Sequence, residues 1–235
     1  MPMKPLSILY RFTLSNGLQE DFDLHIDPKH LTLMRPKMEM PPAWCRLDFH
    51  QCPNCPRAED NHPFCDVSLN LVDIVKRFER LVSYDELFVE VITEERIYYK
   101  KTSAQRGISS LMGLTIAASD CPLTDFFKPM ARFHLPFASS EETIWRATSS
   151  YMLSQYFLRR KGRDVDFELR HLNRVYSDIQ KLNLAIVKRL RAACEKDSAV
   201  NAVIILDAFA KSLPPVIEKS LEKLRYIFDP VLRHY

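Results

Sequence analysis

Cysteine residues carry the clearest chemical pattern in this chain. Cys52 and Cys55 form a Cys-x₂-Cys pair, in which one tight turn presents two thiolates to the same metal ion. A proline follows each of them and stiffens the turn. Cys65 follows Cys55 by ten residues, and Cys121 is also followed by a proline. We therefore predict a tetrahedral metal site formed by Cys52, Cys55, Cys65 and Cys121.

Other residues compete with Cys121 for the fourth ligand position. They are Cys45, His50 and His62. Cys121 is preferred because it repeats the Cys-Pro dipeptide of the Cys-x₂-Cys pair. Cys45 lies beside Trp44 in a run, 44–49, that reads as a strand, so packing explains it adequately. Cys194 lies on the apolar stripe of a predicted helix, where a small buried hydrophobic residue is expected. The alternative for the whole set is a loop with free thiols.

Zinc is the leading metal for such a site. Four cysteines also suit an iron–sulfur cluster, and the sequence leaves both open. If Cys121 is the fourth ligand, the metal joins the first half of the chain to the second and contributes folding energy.

A histidine close in sequence to Cys121 gives a third possibility. His134 follows Arg132 in the segment 130–136. Catalytic zinc usually keeps three protein ligands and one water. A metalloenzyme with an open site near His134 is therefore an alternative to a closed site with four cysteines.

The composition excludes several classes of protein. The chain has 235 residues, of which 46% are hydrophobic and 27% charged, as in globular domains. With only 4 glycines, none clustered, it lacks the glycine-rich loops of the Rossmann and P-loop types. The net charge of +3 is too balanced to indicate nucleic acid binding. Without a long apolar segment we expect no membrane association and a cytoplasmic location, where clustered cysteines are more often metal ligands than disulfides.

Periodicity divides the chain into two regions. Asn16-Gly17 between two β-favouring runs predicts a hairpin, and a second hairpin is predicted over 87–101, with a helix over 68–82 between them. We therefore expect an antiparallel sheet with one helix over 1–102.

From residue 103 onward the apolar residues recur at helical spacing. The predicted helices cover 103–118, 139–162, 172–194, 199–212 and 215–228. Ser139 followed three residues later by Glu142 predicts a capping box at the start of the second. The third of these helices, 172–194, has the clearest apolar stripe in the chain. Short connections favour an antiparallel bundle over 103–235. The predicted class is α+β, with an N-terminal sheet that carries the cysteine knuckle and a helical bundle after it.

Three segments together resemble a known protein family. They are LDFHQCPNCP (47–56), TSAQRGISSLMGL (102–114) and KPMARFHLPFASSEET (128–143). They resemble an uncharacterised bacterial family, a domain of unknown function, over nearly the whole chain. The resemblance implies an intracellular bacterial protein in which Cys52, Cys55 and Cys121 belong to the family pattern with Cys65. It implies no activity.

The expected function is a metal-stabilised interaction or regulatory protein with a protein partner, because four cysteines around one ion leave no position for a substrate. The alternatives are an iron–sulfur redox or sensor protein and the metalloenzyme near His134. The sequence does not predict the partner, the oligomeric state, or whether the protein is an enzyme.

Overall fold

The computed structural model describes residues 4–78, 81–194, 196–212, 221–222 and 224–234. Its strands are β1 (Leu6–Leu14), β2 (Gln19–Ile26), β3 (Glu86–Ile92) and β4 (Ile97–Ser103). The α-helices within these residues are α1 (Asp66–Phe78), α2 (Ala104–Ala117), α3 (Lys128–Arg132), α4 (Ser140–Arg160), α5 (Arg170–Ala193), α6 (Ser198–Ser212) and α7 (Asp229–Leu232). Short 3₁₀ helices cover Ala43–Cys45, Pro122–Phe127 and Arg225–Ile227.

The four strands form one antiparallel sheet in the order β2-β1-β3-β4. The first hairpin turns at Asn16-Gly17, as predicted. Gly17 has a φ of +83°, which glycine adopts without steric cost, and the Leu18 N–H donates a hydrogen bond to Asn16 Oδ1. Alternate residues of β1 point into the core, with Ile8 and Phe12 almost fully buried.

Helices α1 and α2 cover the inner face of this sheet. Phe78 of α1 packs edge-on against Phe12, with the ring centroids 4.9 Å apart. Helix α2 approaches the sheet through Gly107, where an added Cβ would lie 3.0 Å from Val89 and 3.2 Å from Leu87. The absence of a side chain at Gly107 is therefore what allows this close packing.

The helical region begins where β4 runs directly into α2. Helix α4 starts with the predicted capping box, in which the Glu142 N–H donates to Ser139 Oγ and the Ser139 N–H donates to Glu142 Oε2. Helix α6 packs against α2 and α5. None of the helices within the described residues has the length and apolar character needed to cross a bilayer.

The predicted α+β class is confirmed, with the antiparallel sheet at the N-terminus and helices after it. The bundle arrangement stays a prediction. One cluster of buried apolar side chains extends from Ile8 to Ala210 and so includes residues of both regions. The boundary between 1–102 and 103–235 also stays a prediction. The helix predicted over 215–228 lies largely outside the described residues.

The strand predicted over 44–49 is wrong. The structure has the 3₁₀ helix Ala43–Cys45 there, followed by an isolated bridge between Arg46 and Phe64. The apolar character of this run reflects burial of Cys45 and Leu47 and does not reflect sheet pairing.

Alanine at Gly107 and Gly113 tests the close approach of α2 to the sheet. Both positions are helical, so each substitution gains about 1 kcal/mol of helix propensity. The Gly107→Ala methyl group meets the sheet, which costs roughly 1–3 kcal/mol through overpacking. At Gly113 the new Cβ lies 3.4 Å from Leu206 Cδ2, an ordinary contact. Urea unfolding should give Gly107→Ala the lower stability by about 1–3 kcal/mol, and equal stabilities would contradict the packing.

Candidate functional site

The cysteine segment between β2 and α1 folds back on itself. The Cys65 N–H donates a 2.8 Å hydrogen bond to the Cys45 carbonyl, and the Leu47 N–H donates to Pro63 O at 2.9 Å. Within the resulting loop, the Cys55 N–H donates to Cys52 O at 3.0 Å, which closes the Cys-x₂-Cys turn. The backbone thus brings Cys45 beside Cys65 and holds Cys52 and Cys55 on one turn.

A second segment, from the end of α2, reaches the same place. Arg57 Nη2 donates a 3.0 Å hydrogen bond to the carbonyl of Asp120. The next residue, Cys121, caps the start of the 3₁₀ helix Pro122–Phe127, and its carbonyl accepts the N–H of Thr124 at 2.9 Å. Arg57 therefore ties the cysteine loop to the chain beside Cys121.

The cysteines of the predicted site affect one another's pKa values. All six cysteines are free thiols. Burial raises the pKa of Cys121 to about 12; the Leu123 N–H opposes this, and the charges of Cys65, Cys52 and Cys55 add to it. Burial also raises the pKa of Cys52 to about 12, with further contributions from Cys65 and Cys55. The four cysteines singled out in the sequence therefore lie close enough for their charges to affect one another.

The side chains as they stand do not form a metal site. In the described part of the chain, no three His, Cys, Asp or Glu side chains come together closely enough to hold a metal ion. The set Cys52, Cys55, Cys65 and Cys121 therefore stays a prediction as a ligand set.

The residues that compete with Cys121 for the fourth ligand position lie in different surroundings. Cys45 is fully buried, and burial followed by the charge of Cys65 raises its pKa to about 12. His62 Nε2 lies 3.1 Å from Asp66 Oδ2, and the His50 ring packs edge-on against Phe49. Cys45 is thus a neighbour of the thiol set, whereas His62 is engaged by a carboxylate.

Arg189 of α5 is the functional residue that sequence reasoning missed. Its side chain is 1% exposed, and its guanidinium donates to the carbonyls of Trp44, Arg46 and Leu47 at 2.7, 2.7 and 2.9 Å. Its charge lowers the pKa values of Cys45 and Cys52 against the larger effect of burial. The sequence did indicate that Arg189 is buried, because it lies about one helical turn after Ile186 on the apolar face of the helix.

Arg189 has no acidic partner among the described residues. Its guanidinium forms no ion pair with any described carboxylate, and its Nε has no hydrogen-bond acceptor there. A buried cation normally has a counter-ion, because removing a charge from water costs several kcal/mol. Three carbonyl oxygens accept its hydrogen bonds, and its charge acts on the thiols of Cys45 and Cys52.

The structure surrounds His134 with different partners from those predicted. Its Nε2 is hydrogen-bonded to the hydroxyl of Tyr10, which also lies 2.8 Å from Ser110 Oγ. Burial, reinforced by the charge of Arg146, lowers the pKa of His134 to about 3. Arg132 lies over the ring of Phe133, 5.2 Å from its centroid. Neither residue has a described interaction with a cysteine, so the open metal site near His134 gains no support.

Comparison with known proteins identifies the family. The chain matches a domain of unknown function (DUF6901) over residues 8–229. It belongs to this family. No curated protein and no solved structure matches the chain. That the Cys-Pro cysteines and a bacterial source are features of the family stays a prediction.

Replacement of Arg189 by Met tests its role as the anchor of the cysteine segment. Arg189→Met leaves three carbonyls without their donor, and we expect a loss of about 3–5 kcal/mol in the free energy of unfolding, measured in urea with a metal chelator present. Lys188→Met is the matched control, because Lys188 is the exposed neighbour on the same helix and should change stability by at most about 0.5 kcal/mol. Equal effects of the two variants would contradict an anchoring role.

Proposed function

We propose that the chain binds one zinc ion through Cys52, Cys55, Cys65 and Cys121 and acts as a metal-stabilised interaction or regulatory protein. The observation that carries this proposal is the buried charge of Arg189, which lacks a carboxylate partner in the described chain and lies beside the cysteine segment. Four thiolates around Zn²⁺ carry a net charge of −2. Such a centre supplies the counter-charge that Arg189 lacks.

The donor set fits zinc in its chemistry. Four cysteine sulfurs are the ligands of closed structural zinc sites. Zinc binding requires these thiols to lose their protons and to converge on the ion, so it is accompanied by proton release. Two contacts support the proposal: the Cys55 N–H closes the Cys52–Cys55 turn, and the Arg57 side chain links the loop to Asp120, the residue before Cys121.

A closed site favours a structural role over catalysis. With four protein ligands, the ion has no position for water or substrate. The ion would join the loop before α1 to the segment after α2, and so would stabilise the surface that both form. A protein partner for that surface is part of the same proposal.

Metal analysis tests the proposal directly. Protein purified anaerobically, with reductant and without chelator, is expected to be colourless and to contain one equivalent of zinc. Finding iron with acid-labile sulfide and visible absorbance would indicate an iron–sulfur cluster on the same ligands instead of zinc. A metal-free protein that takes up neither ion would contradict the proposal.

Cys121→Ser tests the ligand that comes from the second segment. We expect it to bind less than one equivalent of zinc and to unfold at a lower temperature. A ligand at 1,000 times its Kd contributes about 4 kcal/mol, which corresponds to a Tm difference of about 8–16 °C for a chain of this size. The chelator should lower the wild-type Tm to a similar extent.

Cys194→Ser is the matched control for Cys121→Ser, because Cys194 lies beyond the end of α5 and outside the proposed set. It should keep one zinc and the wild-type response to chelator. Full zinc content in Cys121→Ser would exclude Cys121 as a ligand, and Cys45→Ser would then be the next variant to measure.

A further inference from the structure

A cavity of about 730 Å³ lies in the helical region, away from the cysteine segment. Its size is that of a small-molecule site. It is bounded by the end of β4, by α2, α4, α5 and α6, and by the segment 127–140. Much of its wall is apolar, including Leu114, Phe127, Met130, Phe137, Ile179 and Leu206.

The charges on the cavity wall have one sign. Lys100, Arg106 and Arg146 line it, and no Asp or Glu is among the described residues that do so. Lys100 and Arg106 are exposed, whereas Arg146 is half-buried. A cavity with this charge pattern attracts anions.

Arg146 is held in place without an acidic partner. Its Nη2 donates to the carbonyls of Met130 at 2.7 Å and Phe133 at 3.0 Å. Within the described residues it forms no ion pair, although the more distant Glu142 interacts with its charge. The carbonyls orient the guanidinium and leave its charge without a counter-ion at the cavity.

Two buried hydrogen-bonding groups on α5 also lack partners. Tyr176 and Asn183 are each 3% exposed, and both line the cavity. Among the described atoms, Tyr176 Oη and Asn183 Nδ2 have no hydrogen-bond partner. Buried polar groups are nearly always paired, so a ligand with an acceptor for each would satisfy them.

The spacing of these groups defines the length of the occupant. Tyr176 and Asn183 are seven residues apart on one face of α5, which corresponds to roughly 10 Å along the helix axis. Ile179 lies between them on the cavity wall. The Tyr176 end is also the Arg146 end, because the Tyr176 ring packs against Phe127 with the ring centroids 5.6 Å apart, and Arg146 donates to the carbonyl of Met130, three residues after Phe127.

We propose that this cavity binds a medium-chain monocarboxylate, with its carboxylate on Arg146 and Tyr176 and its apolar body along Ile179. An oxygen at the far end of the ligand would accept a hydrogen bond from Asn183. A carboxylate is favoured over a phosphate because, of the charged side chains described on the cavity wall, only Arg146 is half-buried, and one buried cation balances a single negative charge. His134 adds no charge to the wall, since it is neutral and bonded to Tyr10. This proposal is independent of the metal.

Calorimetric titration with decanoate below its micelle concentration tests the ligand class. We expect saturable binding of one decanoate per chain, with decanol bound at least about tenfold more weakly because it lacks the charge. ω-Hydroxydecanoate should bind more tightly than decanoate, and Asn183→Leu should remove that difference. No saturable binding, or equal binding of decanol, would overturn the proposal. Tighter binding of decyl phosphate would assign the site to phosphates instead.

Tyr176→Phe tests the anchoring group with little risk to the fold. The hydroxyl has no hydrogen-bond partner among the described atoms, so stability should be unchanged or higher, while decanoate affinity should fall about 10- to 100-fold. Tyr151→Phe is the matched control, because its hydroxyl donates to Asp166 at 2.7 Å and Tyr151 does not line the cavity. It should lower stability and leave decanoate affinity unchanged. Unaltered affinity in Tyr176→Phe would contradict the assignment.

Discussion

A single buried guanidinium fixes the cysteine segment to the helical region. Arg189 of α5 donates to three carbonyls of the segment that contains Cys45. Those carbonyls lie in the short 3₁₀ helix Ala43–Cys45 and directly after it, outside the α-helices and the sheet, and unpaired buried carbonyls are costly. The guanidinium meets that need with its fork of donors, which lysine does not have. The path of the cysteine segment therefore depends on a residue far away in the sequence.

The segment that begins at Cys121 joins the two regions of chemical interest. Its 3₁₀ helix places Phe126 and Phe127 against the ring of Tyr176, at centroid distances of 6.5 and 5.6 Å. The chain then continues through Met130 to His134 along the cavity wall. Helix α5 has a matching arrangement, with Arg189 at the cysteine segment and Tyr176 at the cavity. The thiol set and the cavity thus share one connecting segment and one helix.

Local sequence patterns predicted the elements that depend on local interactions. The Asn16-Gly17 turn and the capping box at Ser139 each involve residues within a few positions of one another, so the sequence was sufficient to place them. The α+β class followed from where strand spacing gave way to helical spacing. The strand assigned to 44–49 was wrong because its apolar residues are buried by Arg189 and α5, and no sheet partner exists there among the described residues.

The site was less predictable because its decisive contacts are distant in the sequence. Spacing alone singled out Cys52 and Cys55, and the repeated Cys-Pro dipeptide singled out Cys121; their charges do interact in the structure, and their role as ligands stays a prediction. His134 is hydrogen-bonded to Tyr10 on β1, which is far away in the sequence. The donors of Tyr176 and Asn183 on α5 are recognised as unpaired only in the three-dimensional structure, within its described residues. No local pattern contains this information.

The strand order also affects how the chain folds. Both hairpins join strands that are adjacent in the sequence, and such pairs form rapidly. The central pairing of β1 with β3 joins Leu14 to Leu87 and Leu9 to Ile92, which encloses the cysteine segment and α1 in one large loop. Closing that loop costs more conformational entropy than closing either hairpin turn, and non-local pairing of this kind slows folding. The sheet is therefore complete only after a pairing that closes the loop containing the cysteine segment.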